Sequence, residues 1–375
     1  MKIVFLCGSL EPGKDGVGDY THRLAAELIL RDHKIGIVAL RDQHINHQIE
    51  CSKSTGVDKI LPILRLPANW PAKRRFTKAK EWIETFQPDW VSLQFVIFSF
   101  QPKGLPFGLS NHLAGLAKNS RWHIMFHELW VGMHQNASNK FILWGWLQKG
   151  IVRSFLKKIS PQVIHTQNLL FQFQLNNLTN VRPEILPLFS NIPKVIFEEP
   201  DSFSKKRENA LIIVSFGYLH PNAQTELFIE ELGEYQKNNN TKICLQIIGH
   251  AGPQTSKWTK LCETNNIELK IIGNLSAEEI SRLLQNASAG ITTTAEPMVL
   301  KSGSVAAMRE HGLPIICISN QWSPRRRILT DALPDGMFKF HKGAIESFLK
   351  SQKRDIHIVS VAEVSDLFLE SLRKN

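Results

Sequence analysis

Short apolar, β-branched runs alternate with segments of helical period along most of the chain. In the first half the runs cover residues 3–7, 35–40, 90–98, 123–126 and 163–165; in the second half they cover 211–216, 243–248, 269–272, 290–293 and 314–318. Runs of this length, dense in Val and Ile and without polar alternation, predict parallel strands buried on both faces. Between them, Tyr20, Leu24 and Leu28 share one helix face, and Ser276-Ala-Glu-Glu279 is a capping box ahead of Ile280, Leu283 and Leu284. Val361, Val364, Phe368 and Leu372 mark a last helix. Strand–helix–strand repetition of this kind predicts an α/β chain with two doubly wound Rossmann-like sheets.

The two series part at residues 193–209, which are rich in charge, Ser and Pro. The expected division is an N-terminal domain over 1–195, a linker over 196–209, a C-terminal domain over 210–350 and a helical tail over 351–375. A length of 375 residues suits two domains, and 43% hydrophobic with 21% charged residues suits a globular chain. No apolar run approaches the roughly 18 residues needed to cross a bilayer. Residues 3–7 are also too short for a secretory core of about 7–15 residues, and read as a buried first strand. Five cysteines without a C-x-x-C pair, three of them (Cys7, Cys244, Cys317) inside apolar runs, point to a reduced, cytoplasmic protein.

A net charge of +11 calls for acidic company: nucleic acid, an anionic membrane surface or phosphate-bearing substrates. The basic clusters at Lys73-Arg74-Arg75, Lys157-Lys158, Lys205-Lys206-Arg207 and Arg325-Arg326-Arg327 are scattered, and no nucleic-acid module accompanies them. No nucleic-acid partner is therefore expected, and each cluster alone also reads as a solvated face. Residues 139–158 mix aromatics with lysines. That pattern reads first as a core helix with one charged face, with peripheral contact with an anionic membrane surface as the alternative.

Doubly wound sheets bind ligands beyond the carboxyl ends of their strands, so chemistry is sought in the loops that follow them. The first strand runs into a long loop, Gly8 to Asp19, in which Gly16, Val17 and Gly18 open a helix whose N–H groups could face an anion. Its spacing is neither a dinucleotide fingerprint nor a lysine-bearing phosphate loop, and a plain β–α turn needs glycine as well. His127 closes a strand, where an imidazole can bond a sugar hydroxyl or simply support the structure. Lys301 followed by Ser302, Gly303 and Ser304 reads as a phosphate nest at a helix N-terminus, with an ordinary Ser cap as the alternative. Glu296 could accept hydrogen bonds from sugar hydroxyls.

From Ile271-Ile-Gly273-Asn274-Leu275-Ser276 through the Lys301 loop to Ala307-Met308-Arg-Glu-His-Gly312-Leu-Pro314, the chain resembles the donor domain of the retaining group 1, family four-like GT-B glycosyltransferases. The glycine loop and His127 resemble that family's N-terminal motifs more weakly. The resemblance implies two domains facing a central cleft and transfer of a hexose-type sugar from a nucleoside-diphosphate sugar to an acceptor hydroxyl. It implies no metal and no cofactor beyond that co-substrate, and the chain holds no D-x-D triplet. Gly273, Asn274 and Leu275 would hold the base or ribose; Ser302, Gly303 and Ser304 would meet the diphosphate from below, and Gly16, Val17 and Gly18 from above. His127 would touch the transferred sugar, and the last helix would pack back on the first domain.

The chain departs from this family at several positions. Tyr218 and Ala223 stand near the usual arginine and lysine, and Met298 and Ala306 replace a pair of glutamates, with Glu296 and Glu310 nearby but out of register. Lys301 would restore the missing cation. A degenerate GT-B protein that binds without catalysis stays open beside the enzyme reading. The resemblance leaves the acceptor unidentified: glycan, lipid-linked or small molecule.

Overall fold

The computed structural model describes residues 1–54, 59–197, 210–250, 252–326, 328–351 and 358–375. The Lys205-Lys206-Arg207 cluster, most of the expected linker, Arg327 and part of the tail lie outside the described residues. The chain forms two compact units. The first comprises Met1–Pro187, Ser323–Thr330 and Val359–Asn375; the second comprises Leu188–Trp322 and Asp331–Ile358.

The first unit runs β1 (Lys2–Cys7), α1 (Gly16–Leu30), β2 (Lys34–Asp42), β3 (Ile49–Ser54), β4 (Ile60–Pro67), α2 (Ala72–Phe86), β5 (Trp90–Phe95), α3 (Ile97–Phe100), α4 (Leu109–Ala114), β6 (Arg121–Phe126), α5 (Asn139–Ile159), β7 (Val163–Thr166), α6 (Leu169–Asn176) and β8 (Glu184–Ile185). They build one sheet in the order β3-β4-β2-β1-β5-β6-β7-β8, parallel except where β3 pairs antiparallel with β4. Residues 90–98 were expected as one strand, yet β5 stops at Phe95. Its neighbour β6 ends in register with it at Phe126, so a longer strand would have no partner, and Ile97–Phe100 turn into a helix instead.

The second unit runs β9 (Ala210–Phe216), α7 (Thr225–Asn239), β10 (Lys242–Ile248), α8 (Thr255–Thr264), β11 (Glu268–Ile272), α9 (Ala277–Asn286), β12 (Ala289–Thr292), a 3-10 turn (Glu296–Lys301), α10 (Gly303–Glu310), β13 (Ile315–Cys317), β14 (Met337–Lys339) and α11 (Ile345–Leu349). Its all-parallel sheet has the order β11-β10-β9-β12-β13-β14. One face packs Phe228, Leu232, Trp258 and Phe348 against the strands, and the other packs Ile280, Leu284, Val305 and Met308. Each such side chain stabilises the unit by about 1.5–3 kcal/mol. The capping box opens α9 as expected, Glu279 N–H donating to Ser276 Oγ at 3.2 Å and Ser276 N–H to Glu279 Oε2 at 2.8 Å. Burial on both faces fails for β11, which lies at the sheet edge and is largely exposed.

The chain returns to the first unit as α12 (Val361–Lys374), whose Phe368 stacks on Phe5 of β1 at 5.9 Å while Arg31 of α1 pairs with Asp366. Helix α5 packs beside α4, with Ser154 bonded to Ser110, and buries Gly145, Gln148, Val152, Phe155 and Leu156. Its other side exposes Phe141, Leu143 and Trp146, so the core-helix pattern holds for one face only. No helix among the described residues is long and apolar enough to cross a membrane.

Candidate functional site

In the second sheet the strand order reverses between β9 and β12, so the loops leaving those two strands part around a crevice. The loop after β9 carries Gly217, Tyr218 and His220; the loop after β12 carries Thr293, Lys301 and the start of α10. Gly217 has φ +87°, a conformation that favours glycine, and a Cβ there would sit at ordinary contact distance, 3.6 Å, from Ser304 Cβ at the start of α10. The two loops are stitched by His220 N–H donating to Thr293 Oγ1 at 2.9 Å.

Lys301, Ser302, Gly303 and Ser304 come together at this crevice. Ser302 caps α10, accepting from Val305 N–H at 3.4 Å, and its hydroxyl lies 3.1 Å from that of Ser304. Gly303 opens onto empty space. As at any helix start, the first-turn N–H groups find no acceptor within the helix, and the aligned peptides place about half a positive charge there. Lys301 ends the 3-10 turn immediately before the cap. Its charge reaches His220, whose pKa is lowered first by burial and then by Lys301. His220 went unnoticed in the sequence, although a histidine two residues past Tyr218 in a strand-end loop was the available signal. Ala223 is buried and bridges to Ser319, while Tyr218 is half-exposed and meets the His220 ring edge-on at 5.1 Å.

The remaining second-unit residues stand apart from this cluster. Glu296 lies at the opposite end of the 3-10 turn, with its carboxylate 2.7 Å from Lys339 Nζ on β14. Gly273 and Asn274 follow the edge strand and are exposed, whereas Leu275 sends its side chain into the core and offers only its main chain.

In the first sheet the order reverses between β1 and β5, and the glycine loop crosses there. Glycine is required at its base, since a Cβ on Gly8 would stand 2.4 Å from Ser99 Cβ and one on Gly18 would stand 2.6 Å from Ser9 O. Buried Asp42 accepts from Leu10 N–H and from Ser9 Oγ, while Arg65 bonds both Asp42 and Glu11 at 2.7 Å. The start of α1 differs from the expected anion seat. Asp15 Oδ1 accepts from Val17 and Gly18 N–H at 3.0 Å each, and Asp19 accepts from Gly13 N–H. The Asp15 carboxylate therefore already occupies the Val17 and Gly18 donors that were expected to turn toward a diphosphate. Burial raises the pKa of both Asp15 and Asp19, while the N–H groups they accept from pull the other way.

His127 is buried at the end of β6, its ring edge-on to Tyr20 of α1 at 4.9 Å. A continuous row of side chains runs inward from it. His127 Nε2 is 2.9 Å from Gln94 Oε1, the Gln94 amide donates to Ser92 Oγ at 2.8 Å, and Ser92 Oγ is 2.7 Å from His123 Nδ1. His123 Nε2 is 3.0 Å from His165 Nδ1, and His165 Nε2 meets Ser371 Oγ at 3.1 Å and Glu184 Oε2 at 3.8 Å. The Ser371 hydroxyl donates to Leu367 O at 3.0 Å or to Glu184 Oε2 at 3.3 Å, which leaves its oxygen to accept from His165 and sets the direction of the row. His165 presents Nε2–H outward, each ring then accepts at Nδ1 and donates at Nε2, and His127 donates from Nε2 to Gln94. Burial keeps His123 well below its ordinary pKa, and the neighbouring histidines add to the effect. His165 is lowered by burial against the upward pull of Glu184. Nothing in the spacing of these residues revealed the row, because it runs across four neighbouring elements of the sheet and into α12.

Among the described residues no group of three or more His, Cys, Asp or Glu is arranged to hold a metal ion. Two Rossmann-like units with parallel sheets define the GT-B fold. The chain is similar to Anabaena HepE solved in complex with UDP and glucose (TM-score 0.61, 14% identity, 100% of both chains covered). It is also similar to the lipopolysaccharide outer core galactosyltransferase WaaB in its apo form (TM-score 0.54, 15% identity, 100% of this chain and 99% of that one). A third similar structure is the UDP-GlcNAc 2-epimerase of Neisseria meningitidis bound to UDP-GlcNAc (TM-score 0.55, 11% identity, 100% of both). No protein-family model matches the sequence, and no curated protein matches it significantly.

Proposed function

We propose that the chain is a glycosyltransferase that moves a hexose-type sugar from a nucleoside-diphosphate sugar to an acceptor hydroxyl. The observation that carries this reading is the Lys301 ammonium beside the start of α10, at the switch point of the second sheet. Breaking the bond between the anomeric carbon and the diphosphate leaves its electron pair on the phosphate oxygen. The acceptor oxygen then bonds to the carbon and gives up its proton. A cation and helix-terminal N–H groups facing the leaving oxygen stabilise the charge as it develops, and one such donor is typically worth about 2.7–4 kcal/mol. Lys301 takes the place of the absent arginine and lysine, with His220 beside it. Retention of anomeric configuration and independence from metal rest on the resemblance of residues 271–314 to the retaining enzymes.

In this proposal Ser302, Gly303 and Ser304 hold the diphosphate, the main chain of Gly273 to Leu275 lies toward the base, and His127 orients the transferred sugar. Glu296 is tied to Lys339 and is assigned no step. Gly16 stands at the start of the same helix, and the N–H groups of Val17 and Gly18 reach the donor only if Asp15 gives them up. Tyr218, Ala223 and Ala306 favour the second reading, a GT-B protein that binds nucleotide without turnover. The known UDP-sugar complexes of the fold include an epimerase as well as transferases, so product identity decides. Incubation with UDP-glucose, UDP-GlcNAc and GDP-mannose, followed by NMR, should release free nucleotide diphosphate and sugar even without acceptor. Inverted configuration at C2 without nucleotide release would mean epimerisation, and binding without change would mean a non-catalytic protein.

A further inference from the structure

The loop that leaves β6 carries the chain from His127 to Trp130 and then beneath α5. The crossing is so close that a Cβ on Gly145 would stand 1.9 Å from Val131 O, and Gln148 Oε1 accepts from Val131 N–H at 2.9 Å. The Arg325 segment is tied to the same loop by main-chain bonds, Arg325 N–H to Met133 O at 2.9 Å and Gln135 N–H to Ser323 O at 2.8 Å. These attachments gather Lys149, Arg325 and Arg326 around one cavity of about 350 Å³ within the first unit, and no Asp or Glu among the described residues lines it. Lys149 Nζ is 5.3 Å from the centre of the Trp130 ring. Burial lowers its pKa, and the nearby charges of Arg326 and Arg153 lower it further. Trp146, 69% exposed, and Lys149 also line an adjoining cavity of about 510 Å³ that extends to Phe107, 70% exposed, and Ile151.

Three cations without a carboxylate, two of them guanidinium forks, suit phosphate oxygens. The aromatic track beside them suits an apolar chain attached to that phosphate. We propose that this cavity binds the phosphate or pyrophosphate group of an amphiphilic acceptor, with its apolar portion along Trp146 and Phe107. The assignment of the ligand as acceptor rests on the transferase reading; the anion site itself does not.

Calorimetric titration of the full chain with geranyl pyrophosphate, inorganic pyrophosphate and UDP tests it, using wild type, Lys149→Gln and Arg326→Gln. Both substituted side chains reach solvent, so the variants should keep the wild-type melting temperature. Geranyl pyrophosphate should bind wild type, bind each variant about tenfold more weakly, and weaken with added salt, while UDP binds all three alike. Equal binding of geranyl pyrophosphate to wild type and variants would overturn the site. Inorganic pyrophosphate binding as tightly as the geranyl ester would overturn the amphiphile and its apolar track. Loss of UDP binding in all three proteins with geranyl pyrophosphate still bound would count against the donor reading alone and leave the anion site standing.

Discussion

His127 Nε2 donates across 2.9 Å to Gln94 Oε1, and this bond joins a ring at the strand end to a row of side chains that ends near a carboxylate, Glu184, on the edge strand β8. Each intervening group can hold its neighbour in only one sense while Glu184 is ionised. The row therefore sets the tautomer of His127 through residues behind it in the first sheet. Removing the Gln94 acceptor should release that choice. In long-range nitrogen–proton NMR spectra, wild-type His127 should show the Nε2–H form, and Gln94→Leu a mixture of the two. Donor turnover should fall about tenfold, the worth of one buried hydrogen bond, with little change in KM. An Nδ1–H signal for His127 in the wild type would contradict the direction deduced for the row.

The same row makes stability depend on pH. The pKa values of His123 and His165 lie below the unfolded value of about 6.5, so the unfolded chain binds more protons as pH falls below that value. The contribution of the buried neutral rings is thus complete above pH about 6.5 and is lost progressively below it. Thermal unfolding should show a Tm that drops between pH 7 and 5. His123→Gln, though less stable at pH 7, should show a shallower drop. Parallel curves for the two proteins would exclude His123 as a source of the acid sensitivity.

Gly217 separates strain from occlusion. Its φ of +87° costs an L-residue about 1–2 kcal/mol, so Gly217→Ala and Gly217→Val should both lower Tm. A methyl group would meet Ser304 at ordinary contact distance, whereas the branches of valine would project further toward the start of α10. UDP affinity should therefore survive in the alanine variant to within a few-fold and fall at least about tenfold in the valine variant. Equal affinity in both would place the nucleotide elsewhere.

Asp15 tests the corrected reading of the glycine loop. Asp15→Ala removes a helix cap and should cost about 0.5–2 kcal/mol in denaturant unfolding, while Asp15→Asn keeps the acceptor and should be near neutral. UDP affinity should be the same in both. A marked gain in affinity for Asp15→Ala would mean that the freed N–H groups of Val17 and Gly18 do receive the diphosphate.

Strands and helices were legible where burial imposes a strong pattern, as in β1, β2, β9 and β10. The β3–β4 hairpin escaped because Ile49–Ser54 is mostly exposed and polar and Ile60–Pro67 holds two prolines, features permitted toward a sheet edge. Strands β8 and β14 are too short to carry a pattern. Near the proposed site, the helix start at Ser302 to Ser304 was readable because a helix N-terminus is a local feature. Asp15 displacing the expected anion, Lys339 claiming Glu296, and the row behind His127 were not. Each depends on which side chain tertiary folding delivers, and residue spacing alone carries no record of that.

The central claim is that the Lys301 ammonium faces a nucleoside diphosphate at the start of α10. The most direct check is calorimetric titration of UDP into wild type and Lys301→Ala at the same ionic strength, with uridine as a control lacking the phosphates. Binding of UDP should weaken at least about tenfold on losing one charge-assisted contact, while uridine binds both proteins alike. UDP binding with equal affinity to both proteins would contradict the claim.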